Sequence, residues 1–203
     1  MEILFYKNDG LQNQSVLYVQ DSLDGEARVF LDPNQLSDDG TVALTSLSFS
    51  NDGKYTAYTI SRSGSDWSEI YVMDTATGKL LEDHINWAKF TGAAWQKDGF
   101  YYSAYDAPAK GKEFSNVNEN HKIYYHKIGT PQAEDKLIYE NPAYPKRFYS
   151  AGTSKDERIL FIYESGAGRG NNLFIKDLEK SNAPLIQLTT DFDYQYSPIE
   201  VTR

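Results

Sequence analysis

Cysteine is absent from the 203 residues, methionine occurs twice and histidine three times. The missing thiols exclude a disulfide scaffold, a cysteine nucleophile and Cys-ligated zinc. They leave the compartment open, cytoplasmic or periplasmic. Basic charge is also scarce: 20 Lys and Arg stand against 29 Asp and Glu, a net charge of -9. That excess repels phosphate backbones and anionic lipid, so neither nucleic acid nor membrane is expected as a partner. No apolar run nears the roughly 18 residues of a membrane span. The start, Met1 to Tyr6, lacks the basic region and apolar core of a signal peptide. Few stretches repeat apolar residues at 3.6, so helix is expected to be scarce.

What the chain does have is aromatic residues, 14% of the total with 16 Tyr, and a long internal repeat. Leu47 to Gly53, Ala94 to Gly99 and Ala151 to Asp156 each place an Asp at a turn after a short apolar strand. An alternating run follows each: Tyr55 to Ile60, Phe100 to Tyr105, Ile159 to Tyr163. The three Asp residues, Asp52, Asp98 and Asp156, lie 46 and 58 residues apart. Strand-built units of that period predict propeller blades. The expected fold class is all-β, a partial β-propeller of about four blades, each a four-stranded antiparallel sheet.

The pattern predicts strands near Ile3–Lys7, Ser15–Gln20 and Ala27–Leu31, followed by three fuller units. The first unit reads Leu44–Ser48, Tyr55–Ser61, Glu69–Asp74 and Lys79–Glu82. The second reads Gly92–Gln96, Phe100–Tyr105, Lys122–Ile128 and Lys136–Glu140. The third reads Phe148–Thr153, Ile159–Glu164, Asn172–Leu178 and Leu185–Leu188. Tyr194–Val201 reads as one strand more. The expected blades are 1–40 (partial), 41–88, 89–143, 144–190 and the start of another at 191–203. This phase reads as a section of a larger ring. Asp106–Asn120 reads as a long exposed loop.

Catalytic chemistry is poorly represented. A serine nucleophile needs a base beside it, and no Gly-x-Ser-x-Gly elbow occurs. His84, His121 and His126 read as ordinary strand or loop histidines, and Ser65 lacks flanking glycines. No catalytic residue, metal ligand or cofactor is therefore expected. Asp21-Ser-Leu-Asp24-Gly25 lacks the alternate carboxylates of a calcium loop and reads as a hairpin turn. Gly166 to Asn172 has no helix behind it to hold a phosphate and reads as a flexible hairpin tip. Trp67, in the polar loop Ser61 to Asp66, is either a packing plug or a contact residue. Phe90 is either core or a pocket wall.

Three strings carry a family resemblance. Tyr6-Lys-Asn8-Asp-Gly-Leu11-Gln12-Asn13-Gln14 resembles the opening strand and turn of the prolyl oligopeptidase propeller. Ser61-Arg-Ser-Gly64-Ser65-Asp66-Trp67 resembles that family's Ser-x-Ser-Gly-Ser-Asp-Trp segment. Lys122-Ile-Tyr124-Tyr125-His126-Lys-Ile-Gly129-Thr130 is similar to its Tyr-Tyr-His-x-Leu-Gly-Thr signature. They occur in family order across nearly the whole chain. The strings argue against oligopeptidase B and the dipeptidyl peptidases.

The resemblance implies about half of a seven-bladed propeller that caps a serine-peptidase α/β-hydrolase domain. The parent would cleave short peptides after proline, its Ser, Asp and His all lying outside this chain. The implied partners are that peptidase domain and proline-containing short peptides. The resemblance places Asp66 opposite an arginine of the peptidase side and Trp67 on the substrate cavity. It makes Phe90 a wall for an apolar side chain upstream of proline. Tyr163-Glu164 departs from the family's Arg before Glu, and Ser165–Gly170 is expanded. A free-standing propeller serving as a binding or scaffold module is the alternative. The cut also leaves open strand edges. Tyr194–Val201 is expected to complete the first sheet, either within the chain or in a strand-exchanged homodimer.

Overall fold

Serine and aspartate build the same turn twice. The Ser50 hydroxyl donates to Asp52 Oδ1 at 2.6 Å and accepts the Tyr55 amide, while the Lys54 amide donates to Asp52. Ser154, Asp156, Arg158 and Ile159 repeat all three bonds. Short polar side chains that bond their own backbone two residues on are what reverse a chain between strands. The repeat seen in the sequence is thus one local structure used again.

The structure, a computed structural model, describes residues 3–111, 118–166, 168–199 and 201. Among the described residues, fifteen strands form three hydrogen-bonded sheets, antiparallel throughout. The first holds β1 (Ile3–Lys7), β2 (Val16–Gln20) and β3 (Arg28–Leu31). The second joins two four-stranded meanders. One is β4 (Val42–Phe49), β5 (Tyr55–Arg62), β6 (Ser68–Asp74) and β7 (Leu80–Ala88). The other is β8 (Ala94–Gln96), β9 (Gly99–Ala104), β10 (Lys122–Lys127) and β11 (Lys136–Tyr139). Among the described residues, Ala88 and Ala104 are the ladder pair that joins them. The last sheet is β12 (Phe148–Thr153), β13 (Ile159–Ser165), β14 (Asn171–Asp177) and β15 (Ile186–Gln187).

The meanders stack face to face in chain order, and strand period 2 explains how. On β9, Phe100, Tyr102 and Ala104 pack with Ile70, Val72 and Ile85 of the preceding meander. The alternate residue Tyr101 packs with Tyr149, Leu160 and Ile162 of the following sheet. Every residue of β9 is therefore buried, as a strand covered on both faces must be. Phe30 and Leu31 pack the first sheet on Val42, Tyr58 and Ile60 in the same way. Each large apolar side chain so buried contributes ~1.5–3 kcal/mol. Sequential four-stranded sheets stacked through apolar faces are the blades of a β-propeller.

Three expectations need correction. β7 runs on to Ala88, well past the predicted end at Glu82. Asp83 is buried there because His126 and the Gly129 amide bond its carboxylate, at 2.9 and 2.6 Å. His84, predicted near a strand end, consequently sits inside β7. Second, 194–199 forms no strand, and the first sheet keeps three strands. The segment instead satisfies its backbone on the β13–β14 turn. Phe192 and Tyr194 carbonyls accept the Gly170 and Asn171 amides at 2.9 and 3.0 Å, and the Asn171 side chain bonds both backbone groups of Tyr196. Exchange within the chain is thus excluded for the described residues. Third, the turn carrying Gly166, Gly168 and Gly170 is no free tip. A Cβ on Gly170 would clash with the Tyr194 and Phe192 carbonyls. Residue 167 of this turn and residues 112–117 of the predicted Asp106–Asn120 loop lie outside the described residues.

Candidate functional site

Two short segments carry the side chains singled out by sequence. The β5–β6 loop turns through Ser63 and Gly64, both at positive φ. The Trp67 amide donates to the Ser65 hydroxyl at 3.0 Å, so Ser65 closes a turn. Beyond β7 the chain bends at Trp87 (φ 59°) and Phe90 (φ 53°). Left-handed backbone costs a non-glycine residue about 1–2 kcal/mol, and such outliers gather where a side chain must be aimed. Here the bend is clipped to β9: the Lys89 amide donates to the Ser103 carbonyl and the Ser103 amide to the Thr91 hydroxyl.

The bend brings Asp66, Trp67 and Phe90 around one side chain that the sequence did not flag. Lys89 Nζ lies 3.5 Å from Asp66 Oδ2, 5.0 Å from the Trp67 ring centroid and 5.4 Å from that of Phe90. Trp67 is half-buried and packed edge-on against Trp87 at 5.5 Å and Tyr105 at 6.0 Å. Phe90 is 54% exposed, with its ring 5.4 Å from that of Phe148 on β12. The two phenyl rings form an apolar ledge across neighbouring blades. Past Phe148 a shallow cavity of about 390 Å³ opens between Tyr163, Gly168 and Arg169. A larger cavity of about 590 Å³ is lined by Lys155, Phe161, Pro198 and Ile199 and involves none of the predicted residues.

His121 lies directly under this ledge, fully buried, with Tyr105 4.4 Å away and Phe90 6.3 Å away. The Tyr149 amide donates to His121 Nδ1 at 2.9 Å, so the ring proton sits on Nε2 and donates to the Lys89 carbonyl at 3.0 Å. Nδ1 can accept only in the neutral ring. Burial pushes its pKa down from 6.5 to about 4, aided by the Lys89 charge and opposed by the hydrogen bond to the Lys89 carbonyl. Between those values the unfolded chain binds a proton that the native chain refuses, so stability falls as pH falls. The loss amounts to roughly 3 kcal/mol by pH 4. Urea midpoints measured from pH 7 to 4 should show it, and a His121→Gln chain should lose much less over the same range.

The other histidines are structural. His126 sits between Asp83 and Asp135 at 2.9 and 2.7 Å. His84 bonds Glu69, which Arg62 and Tyr71 also hold. Burial would raise the Glu69 carboxyl, but the hydrogen bonds from Arg62, Tyr71 and His84 hold it down at about 2. No serine hydroxyl is bonded to any of the three histidines among the described residues. At the departure Tyr163-Glu164, Arg147 in the loop before β12 donates to the buried Glu164 at 2.9 Å. Neither buried Lys89 nor buried His121 carries a sequence signal, because their partners come from other strands.

The profile of the prolyl oligopeptidase N-terminal β-propeller domain matches residues 2–201. Prolyl endopeptidases of Elizabethkingia miricola and Elizabethkingia meningoseptica are each 45% identical over 190 residues, covering 93% of this chain. The chain spans 27% of the length of these relatives. Among solved structures, prolyl oligopeptidase B from Galerina marginata bound to a 35mer hydrolysis and macrocyclization substrate superposes with a TM-score of 0.87 at 30% identity. That match covers 99% of this chain and 32% of the other.

Proposed function

The chain belongs to the prolyl oligopeptidase N-terminal β-propeller family, and from that premise we propose that it forms part of the lid and one cavity wall of a serine peptidase cleaving after proline. The blades are 1–40 (partial), 41–88, 89–143 and 144–190, with 191–203 opening another. The partner is an α/β-hydrolase domain that supplies serine, histidine and aspartate for acyl transfer. This chain supplies the environment of that reaction. Asp66, on the exposed rim, makes a charge-assisted bond to an arginine across the cavity. Trp67 lines the cavity, and Phe90 takes an apolar side chain upstream of proline.

The observation that carries this reading is the gathering of Asp66, Trp67 and Phe90 around Lys89, with the Phe90 ring facing solvent. An exposed aromatic ring aimed by strained backbone is poor core and good contact surface. The Galerina protein holds a 35mer substrate; the lid proposed here admits flexible peptides and excludes folded domains.

A chromogenic prolyl peptide tests the reading. The 203-residue chain alone should release no chromophore, and the full-length protein should release it in a manner blocked by a serine-acylating reagent. Proline-specific turnover by the chain alone, or none by the full-length protein, would refute the assignment. The intermolecular form of strand exchange also stands as a proposal. β1 leaves one edge of its sheet open, with Leu4 and Tyr6 exposed, and light scattering on the same preparation separates dimer from monomer.

A further inference from the structure

Lysine is almost never buried without a partner, yet the Lys89 side chain is 6% exposed. The carboxylate it meets is not a full compensation, because Asp66 is 76% exposed at 3.5 Å and that pair is screened by water. The ammonium also lies over the ring of Trp67 and the ring of Phe90. A cation between aromatic faces is attracted by both quadrupoles, and the attraction strengthens as water is removed. The same residue is anchored through its backbone. Its carbonyl accepts from His121 Nε2, and His121 Nδ1 accepts the Tyr149 amide of β12. One residue therefore faces the β5–β6 loop with its side chain and the neighbouring blade with its carbonyl.

We infer that Lys89 is a positioning residue: its ammonium holds the Trp67 and Phe90 rings as one wall, and its carbonyl, through His121, sets that wall against the blade carrying Phe148. The inference rests on the reading of this face as a cavity wall. The spacing of the Phe90–Phe148 ledge is then fixed by a two-bond link rather than by ring packing alone. Lys89 itself is too enclosed to bind substrate. Its removal should loosen the ledge without touching the bond-breaking step.

Two measurements test this. In the 203-residue chain, ring currents should shift the Lys89 ε-methylene protons upfield in NMR spectra. The shift should shrink in Phe90→Leu, a change at an exposed position that leaves the remaining spectrum dispersed. In the full-length protein, Lys89→Met should raise KM about fivefold for peptides with an apolar residue upstream of proline, the value of one ordinary cation–π contact. The kcat should stay within about twofold, since only binding is altered. Lys89→Arg should restore most of the KM, because guanidinium also stacks on rings.

Unshifted methylene protons would overturn the inference, as would a KM unchanged in Lys89→Met or not rescued in Lys89→Arg. A full-length protein that cleaves no prolyl peptide while the NMR signature is present would overturn the functional reading and leave the positioning geometry standing.

Discussion

Replacing His126 by leucine should destabilise the chain by about 3–5 kcal/mol, the loss measured when one partner of a buried ion pair is removed. The imidazole is fully buried, and each ring nitrogen meets a carboxylate that is itself 2% exposed. Ionised carboxylates only accept, so both nitrogens carry hydrogens and the ring is an imidazolium. Burial pushes the His126 pKa down, but the hydrogen bonds to Asp135 and Asp83 outweigh it and the net shift is upward. The cluster is braced further. The Gly129 amide bonds Asp83 and the Tyr102 hydroxyl bonds Asp135 at 2.7 Å, so β7, β9, β10 and the turn before β11 meet there. Leucine leaves two buried carboxylates without their shared cation.

The pH dependence distinguishes this cause from a packing defect. In the wild type, a raised histidine pKa gives stability that is complete below the unfolded value near 6.5 and is lost as pH rises through the folded value. In His126→Leu that contribution is absent, so the deficit should be full below the unfolded value and narrow as pH rises through the folded His126 value. Ile70→Val, in the adjoining core, should instead cost ~1 kcal/mol at every pH. Urea denaturation of the three chains at two pH values is sufficient. An equal deficit for His126→Leu at both would contradict the charged-cluster account.

Strands that alternate cleanly and are bounded by turn residues were legible. Ile3–Lys7 and Phe148–Thr153 have the predicted bounds, and β9 differs by one residue at each end. β7 was cut short because Asp83, His84 and Asn86 break its apolar pattern. They are admitted by partners distant in sequence: His126, Glu69 and Gln132. The Tyr194–Val201 error has the opposite origin. Its tyrosines, isoleucine and valine suit a strand, but Asn171 and two turn amides hold it instead. Asp66, Trp67 and Phe90 were nominated by resemblance alone. What joins them, Lys89, is an ordinary lysine by composition, and its burial follows from three blades meeting around it. Polar groups enter a core only with partners, and those partners are set by the tertiary fold.

Phe90 offers the second large effect and the most direct test of the cavity wall. The ring is mostly exposed, so its loss should cost little folding stability. In the full-length protein, truncation should instead remove the apolar area that a substrate side chain covers. At about 25 cal/mol per Å² over some 50–100 Å², that is ~1.3–2.5 kcal/mol, roughly a 10- to 70-fold rise in KM. The proposed contact would hold before and during bond breaking, so kcat should change little.

The decisive measurement is kcat/KM of wild-type and Phe90→Ala full-length protein on two prolyl peptides. One carries an apolar residue upstream of proline and the other glycine in its place. The account predicts a 10-fold or greater loss on the apolar peptide and a loss within about twofold on the glycine peptide. Equal losses on both, or none on either, would contradict it.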